Sequence, residues 1–255
     1  MRIAPILKKQ GMSTNSQNSP GIWELPQKIL VILAHPDDPE FFCGATLARW
    51  AIAGHSIHYF LLTNGNKGGG PDVTPEQLIP LRQAEQQKAA ALIGARSVHF
   101  LDLEDGYLVP SLDLRRDVVR LIRREKPDIL VTCDPTLLYS WFGRVNHPDH
   151  RAAGQVVLDA VFPAAGNSHF FPELLENEGL QPHTPHEVWV SLAASPTVTL
   201  DVTSTWEIKI NALKEHKSQV GEVATFEQRM RSRHTEDSTD IAPRYEEYFR
   251  VLKFA

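Results

Sequence analysis

The run Lys28-Ile-Leu-Val-Ile-Leu-Ala34 constrains this chain more than any other segment. Its apolar residues are continuous and show no polar alternation, so it predicts a strand buried on both faces, the situation of strands inside parallel sheets. A polar turn, His35-Pro-Asp-Asp-Pro39, follows directly. From Glu40 to Ala53 the apolar residues recur at helical spacing, and Gly54 supplies a helix C-cap. Strand, loop and helix in this order open a βαβ unit.

The same order then repeats. Ser56–Leu62 reads as a strand, Asn64–Gly70 as a Gly-rich loop, and Pro75–Ile93 as a helix with Pro at its start and Gly94 after its end. Ser97–Leu101 and Asp128–Thr132 read as strands, with Leu112–Glu125 and Asp149–Val161 as helices. Beyond Phe162 the alternation weakens; Glu187–Ser191 and Val198–Asp201 are predicted strands, and Trp206–His216 a predicted helix. The fold class expected is α/β, a Rossmann-like, doubly wound and mostly parallel sheet with helices on both faces. At 255 residues, 42% of them hydrophobic, the chain can bury one sizeable core or two small ones. Continuity of the alternation favours one domain over residues 27–255. Residues 1–26 are polar and rich in turn formers, which predicts a flexible leader. The charged and polar stretch Lys217–Pro243 is expected to owe its order to packing against the site or a neighbouring subunit.

Composition narrows the partners. A formal net charge of -5 leaves no basic footprint for a phosphate backbone, so nucleic acid is not an expected partner. The two cysteines, Cys43 and Cys133, are far apart with no CxxC spacing, the pattern of reduced, buried thiols. No apolar run of about 18 residues occurs to cross a bilayer, and a cytoplasmic protein is expected.

Two His/Asp-rich tetrapeptides carry the chemistry: His35-Pro-Asp-Asp38 after the first strand, and His147-Pro-Asp-His150 at the entry to the helix after the fourth. In an open α/β sheet, ligands bind at the carboxyl ends of the strands, where both motifs fall. A loop His is commonly a hydrogen-bonded turn residue and an Asp-Asp pair commonly a cap, but two such motifs at corresponding strand ends point to a metal. Hydrolytic zinc takes about three protein ligands and keeps one position open. His35, Asp38 and His150 supply the three, and Asp37 is the adjacent carboxylate available as general base. The glycines of Asn64–Gly70 form neither GxGxxG nor GK[ST], which excludes a phosphate cradle; they would let the backbone approach a flat sugar ring or let the loop move.

These residues resemble those of the N-acetylglucosaminyl-phosphatidylinositol de-N-acetylase and LmbE-like deacetylase family. The resemblance runs through Ala34-His-Pro-Asp-Asp38, Leu62-Thr-Asn-Gly65, Arg82-Gln-Ala-Glu85, Asp105-Gly106, His147-Pro-Asp-His150 and Lys214-Glu-His216-Lys-Ser-Gln219. Asp134-Pro135 to Arg151 and Tyr248-Phe-Arg-Val-Leu252 look most like archaeal diacetylchitobiose deacetylases. The resemblance implies a Zn2+ enzyme that removes the acetyl group from an N-acetylglucosamine-type sugar, working as a trimer or hexamer. It implies His35, Asp38 and His150 as metal ligands and Asp37 as general base. His147 would hold the oxyanion, Asp149 would orient that imidazole, and Arg82 and Asp105 would bind the sugar. From the residues alone, Arg82 reads as a partner of Glu85 on a solvated helix face, Asp105 as a turn residue, and His216 as a helix-end cap on carbonyls. A tyrosine that some members carry two residues before the second motif is here Val145; Tyr139 lies in the same loop. The far end of the pocket is expected to be built from loops such as Phe162–Pro185. The same ligand set suits hydrolysis of another amide or a phosphoester, and a sugar-binding module without catalysis is a further reading.

Overall fold

The computed structural model describes residues 20–139 and 143–254. Its strands are β1 (Lys28–Leu33), β2 (Ser56–Thr63), β3 (Ser97–Leu103), β4 (Ile129–Cys133), β5 (Glu187–Ser191), β6 (Val198–Asp201) and β7 (Glu246–Lys253). Its α-helices are α1 (Asp38–Ile52), α2 (Pro75–Ile93), α3 (Leu112–Glu125), α4 (Pro148–Asp159), α5 (Pro172–Glu176), α6 (Trp206–Leu213), α7 (Lys217–Val220) and α8 (Val223–Arg231).

All seven strands form one sheet in the order β3-β2-β1-β4-β5-β7-β6. β1 pairs in parallel with both β2 and β4, and every residue from Ile29 to Leu33 is fully buried. The continuous apolar run is therefore explained by strands on both edges and helices over both faces. Helices α1, α2 and α6 pack together, while α3 packs with α4. Right-handed crossovers require this division, because β1-β2-β3 advances in one direction and β4-β5 in the other. The order reverses between β1 and β4, which makes the gap beyond their carboxyl ends the switch point of the sheet. The expected α/β architecture is the one found.

Local signals account for the helix limits. Thr74 and Gln77 form a reciprocal capping box on α2, and Gly94 ends it with φ 91°. Helix α1 is less regular: Cys43 is non-helical, at φ -151° and ψ 21°. At this kink Glu247 of β7 accepts hydrogen bonds from the amides of Ala45 and Thr46, at 3.2 and 2.8 Å. Lys209 of α6 donates to the Phe41 carbonyl at 3.0 Å and pairs with Glu247 at 2.6 Å. The broken turn thus has its free N–H and C=O groups capped by a buried ion pair.

The structure corrects or extends the sequence reading in four places. β7 was not among the predicted strands, because its buried face carries Glu247 beside Phe249 and so lacks an apolar stripe. It inserts antiparallel between β5 and β6. Helix α6 ends at Leu213, not His216. The Lys217–Pro243 stretch contains α7 and α8: Ser218 bonds Glu85 of α2 beside Arg82, Phe226 packs 6.1 Å from Phe41 of α1, and the Met230 carbonyl accepts from Trp206 of α6, so the stretch packs in part against the site. Of the expected leader, residues 1–19 lie outside the described residues, while Gly21 and Trp23 are docked. The Gly21 carbonyl accepts from Trp50 Nε1 at 3.1 Å, and Trp23 packs on Trp50, His55 and Trp189.

Lys209→Met would leave the Glu247 carboxylate buried without its cation. A loss of about 3 kcal/mol is expected in urea unfolding, the scale for breaking a buried pair from one side. An unchanged unfolding midpoint would show that the pair carries no weight at the kink.

Candidate metal centre

The β1 loop closes on itself immediately after the strand. The His35 amide donates to Asp38 Oδ2 at 2.8 Å, and the Asp38 amide to the His35 carbonyl at 3.3 Å. Between them Asp37 sits at φ 89°, the left-handed region that a residue with a side chain adopts only at a cost of about 1–3 kcal/mol. Three bonds brace it. Arg82 donates to the Pro36 carbonyl at 2.6 Å and to Asp37 Oδ2 at 3.0 Å, and Gln86 Oε1 accepts the Asp37 amide at 2.7 Å. Arg82 also donates to the Gly65 carbonyl. A Cβ on Gly65 would lie 2.2 Å from the guanidinium and one on Gly68 2.9 Å from it, so these two glycines make room for Arg82. The reading of Arg82 as a surface partner of Glu85 is corrected: the side chain is buried, and Glu85 bonds Ser218.

The second half of the centre comes from the entry to α4. Gly154 lets that helix lie against the end of β4, since a Cβ there would be 2.2 Å from the Cys133 carbonyl. Cys133 Sγ in turn donates to the His150 carbonyl at 3.0 Å. His150 Nδ1 meets Asn146 Oδ1 at 3.0 Å, and the Asn146 amide nitrogen donates to Leu137 O, which fixes the oxygen as the acceptor. His150 Nδ1 therefore donates to Asn146, and Nε2 is the nitrogen turned toward His35 and Asp38. Neither Asn146, Gln86 nor Gly154 was singled out from the sequence, although Asn146 adjoins the second motif.

The expected ligands converge. His35 Nδ1 lies 3.2 Å from His150 Nε2 and 3.3 Å from Asp38 Oδ2, and His150 Nε2 lies 3.1 Å from Asp38 Oδ1. A tetrahedral ion with bonds of about 2.0–2.1 Å holds its ligand atoms about 3.3 Å apart, so the three fit one face of such a site. On the other side of the His35 ring, Nε2 faces Asp105 Oδ1 at 3.1 Å and Asp149 Oδ2 at 3.3 Å. Burial opposes a charged His35, yet Asp38, Asp105 and Asp149 outweigh it and raise the imidazole well above its ordinary value. Burial likewise opposes the Asp38 carboxylate, but His150 and His35 hold it far below the usual range.

His147 is the N-cap of α4, its Nδ1 accepting the Asp149 amide at 3.2 Å. Burial, then His35 and His150, lower its proton affinity, so the ring is neutral with its proton on Nε2. That nitrogen faces the centre, 3.6 Å from Asp105 Oδ1. The Asp149 carboxylate takes a course the sequence did not suggest: it accepts the amides of Gly106 and Leu108 and faces His35, while only its backbone N–H reaches His147. Phe42 closes one wall, its ring 5.0 Å from that of His150. His216 is not a carbonyl cap; its side chain is fully buried, with Nε2 3.1 Å from Glu40 Oε2. Tyr139 is mostly exposed and bridges Val145. The loop Phe162–Pro185 lies at the opposite end of the sheet, where His183 bonds the carbonyls of Ala165 and Pro127 ahead of β4. It builds no part of this pocket, because α4 carries the chain the length of the strands away from it.

Fold and centre together define a Rossmann-like α/β protein with a His/Asp metal-type cluster at its switch point. Residues 30–161 match PIG-L, GlcNAc-PI de-N-acetylase, and the chain belongs to that family. It is 32% identical to a diacetylchitobiose deacetylase of Thermococcus kodakarensis, over 77% of this chain and 71% of the relative. It is 24% identical to a 1D-myo-inositol 2-acetamido-2-deoxy-alpha-D-glucopyranoside deacetylase of a Nocardioides species, over 76% and 83% of the two chains. The N,N'-diacetylchitobiose deacetylase structure from Pyrococcus horikoshii superposes with a TM-score of 0.82 at 26% identity, covering 93% of this chain and 88% of that one. No helix among the described residues is long and apolar enough to cross a membrane.

Burial pushes the Asp37 carboxyl from 3.8 up to about 6; Arg82 opposes the shift and Asp38 adds to it. The folded state thus keeps this proton to a higher pH than the unfolded chain, and ionising it costs stability as pH rises from about 4 to 6. Asp37→Asn has no proton to lose. In metal-free protein its melting temperature should therefore gain on the wild type between pH 4 and pH 7. A difference that stays constant with pH, the signature of relieved backbone strain alone, would contradict this.

Proposed function

We propose that the protein is a zinc-dependent N-deacetylase that hydrolyses the acetamide of an N-acetylglucosamine-type sugar, releasing acetate and the free amine. The observation carrying this reading is the ligand triangle of His35, Asp38 and His150 with Asp37 beside it and outside the ligand set. Zinc, when bound there, supplies Lewis acidity to the acetamide carbonyl and the attacking water. Asp37 takes the proton of that water and passes it to the amine nitrogen as the C–N bond breaks. His147, neutral and protonated on Nε2, donates to the carbonyl oxygen as negative charge develops on it. Arg82 secures Asp37 from behind, and Asp105, buried where it faces His35 and accepts the Lys67 amide, would hold a sugar hydroxyl through its remaining lone pairs. The relatives act on different conjugates, but each name contains an N-acetylated glucosamine, which supports that group as the common substrate portion.

The test is acetate release from a panel of N-acetylglucosamine conjugates carrying a second sugar, inositol or malate, with metal measured on the same sample. About one zinc per chain and activity lost on chelation are expected; full activity in metal-free protein would overturn the proposal. Asp37→Asn should retain zinc and lower turnover about a hundredfold to ten-thousandfold.

The ligand shell has its own readout. Asn146→Leu should weaken zinc binding about tenfold to a hundredfold in chelator competition, by freeing the His150 ring. Asp38→Asn should also bind zinc more weakly. Full occupancy in Asp38→Asn with an empty Asp37→Asn would exchange the two roles.

A further inference from the structure

Behind Asp37, on the side away from the ligand triangle, lies a buried chain of polar groups that the mechanism above does not use. Gln86 of α2 is fully buried, and its Oε1 accepts the Asp37 amide at 2.7 Å. A primary amide turned end for end would present NH2 to that N–H and lose the bond. The opposite end of Gln86 prevents this, because its Nε2 donates to both carboxylate oxygens of Glu40, at 3.1 and 3.0 Å, and a carboxylate only accepts. Glu40 is itself fully buried, and its Oε2 meets His216 Nε2 at 3.1 Å. His216 is equally buried, and its Nδ1 has no hydrogen-bond partner among the described residues, so Glu40 is its one polar anchor. The order His216, Glu40, Gln86, Asp37 thus ties the α6–α7 junction through α1 and α2 to the one left-handed residue of the metal loop.

We propose that Gln86 is a positioning residue for the general base: its amide, oriented by Glu40 and His216, holds the Asp37 peptide in the left-handed conformation that separates the Asp37 carboxylate from that of Asp38. The inference rests on Asp37 being the base. It assigns a catalytic consequence to residues that a packing argument would treat as core polar groups.

The test uses Gln86→Leu, Gln86→Glu, and the exchange Glu40→Gln with Gln86→Glu. Gln86→Leu should keep its zinc and a KM within about twofold while kcat falls about tenfold to a hundredfold, the scale of a small misplacement of a reacting group. Gln86→Glu alone sets two carboxylates against each other and should also lose kcat. The exchange restores one acceptor toward the Asp37 amide and one amide between the two side chains, and should recover kcat to within about fivefold. A crystal structure of Gln86→Leu should show residue 37 outside the left-handed region. Wild-type kcat in Gln86→Leu, zinc lost in parallel with kcat, or an exchange no better than Gln86→Glu would each overturn the proposal. If Gln86→Leu does not fold, the exchange, which conserves volume and charge, decides alone. If the wild type releases acetate from no conjugate, the reading of the site has failed, and the conformation of residue 37 in the variant still reports on the brace.

Discussion

The parallel pairing of β1 with β4 is the contact on which the site depends. These strands are distant in sequence, yet the register Ile29 with Ile129 through Val31 with Val131 ends both at the same level of the sheet. The loop after β1 and the entry to α4 then meet over that edge, which brings His35 within 3.2 Å of His150. Neither motif could form the triangle by itself, because two side chains of one tetrapeptide cannot surround an ion. Burial of β1 on both faces enforces the pairing, since slipping a strand by one residue would turn its side chains to the other face and misplace the loop beyond it.

Electrostatics then decides what the assembled loops want. Asp37, Asp38, Asp105 and Asp149 crowd around the imidazoles of His35, His147 and His150, while Arg82 is the guanidinium that reaches in. His35 responds by holding a proton more tightly, and Asp38 by holding one less tightly. The His35 shift expresses the carboxylates crowded around it and the Asp38 shift the imidazoles that face it, and a divalent cation held by these groups would take the place of the protons they share. The second carboxylates on His35 fit this reading, as outer partners that fix the ring and raise the basicity of its ligand nitrogen.

Much of this was legible in the sequence. The continuous apolar strands gave the parallel sheet, and two short motifs at strand ends identified every member of the triangle. What stayed hidden depends on tertiary contact. β7 escaped because Glu247 interrupts its apolar face, and that glutamate makes sense only against Lys209 and the broken turn at Cys43. The aromatic docking of Trp23 was invisible because a lone Trp in a polar segment has no period. Gly65 and Gly68 were legible as glycines but not as the clearance for Arg82, which comes from another helix. The loop Phe162–Pro185 was misplaced for a geometric reason: a helix that starts at the site must deliver its following loop to the far end of the sheet.

The two adjacent aspartates show how backbone conformation separates side chains of identical chemistry. Asp38 is the first residue of α1, and its carboxylate folds back to accept the His35 amide and to face His150. In a regular helical approach Asp37 would carry its carboxylate along the same surface, and two like charges would compete for one ion. The left-handed φ at Asp37 turns it instead toward Arg82. On the roles proposed above, that strain is the means by which Asp38 would serve as ligand and Asp37 as base. Such a conformation persists only where the surroundings over-determine it. Here the surroundings are the Arg82 bonds on one flank and the Gln86 amide on the other, both delivered by α2, which is why a helix that contributes no ligand bears so closely on the centre.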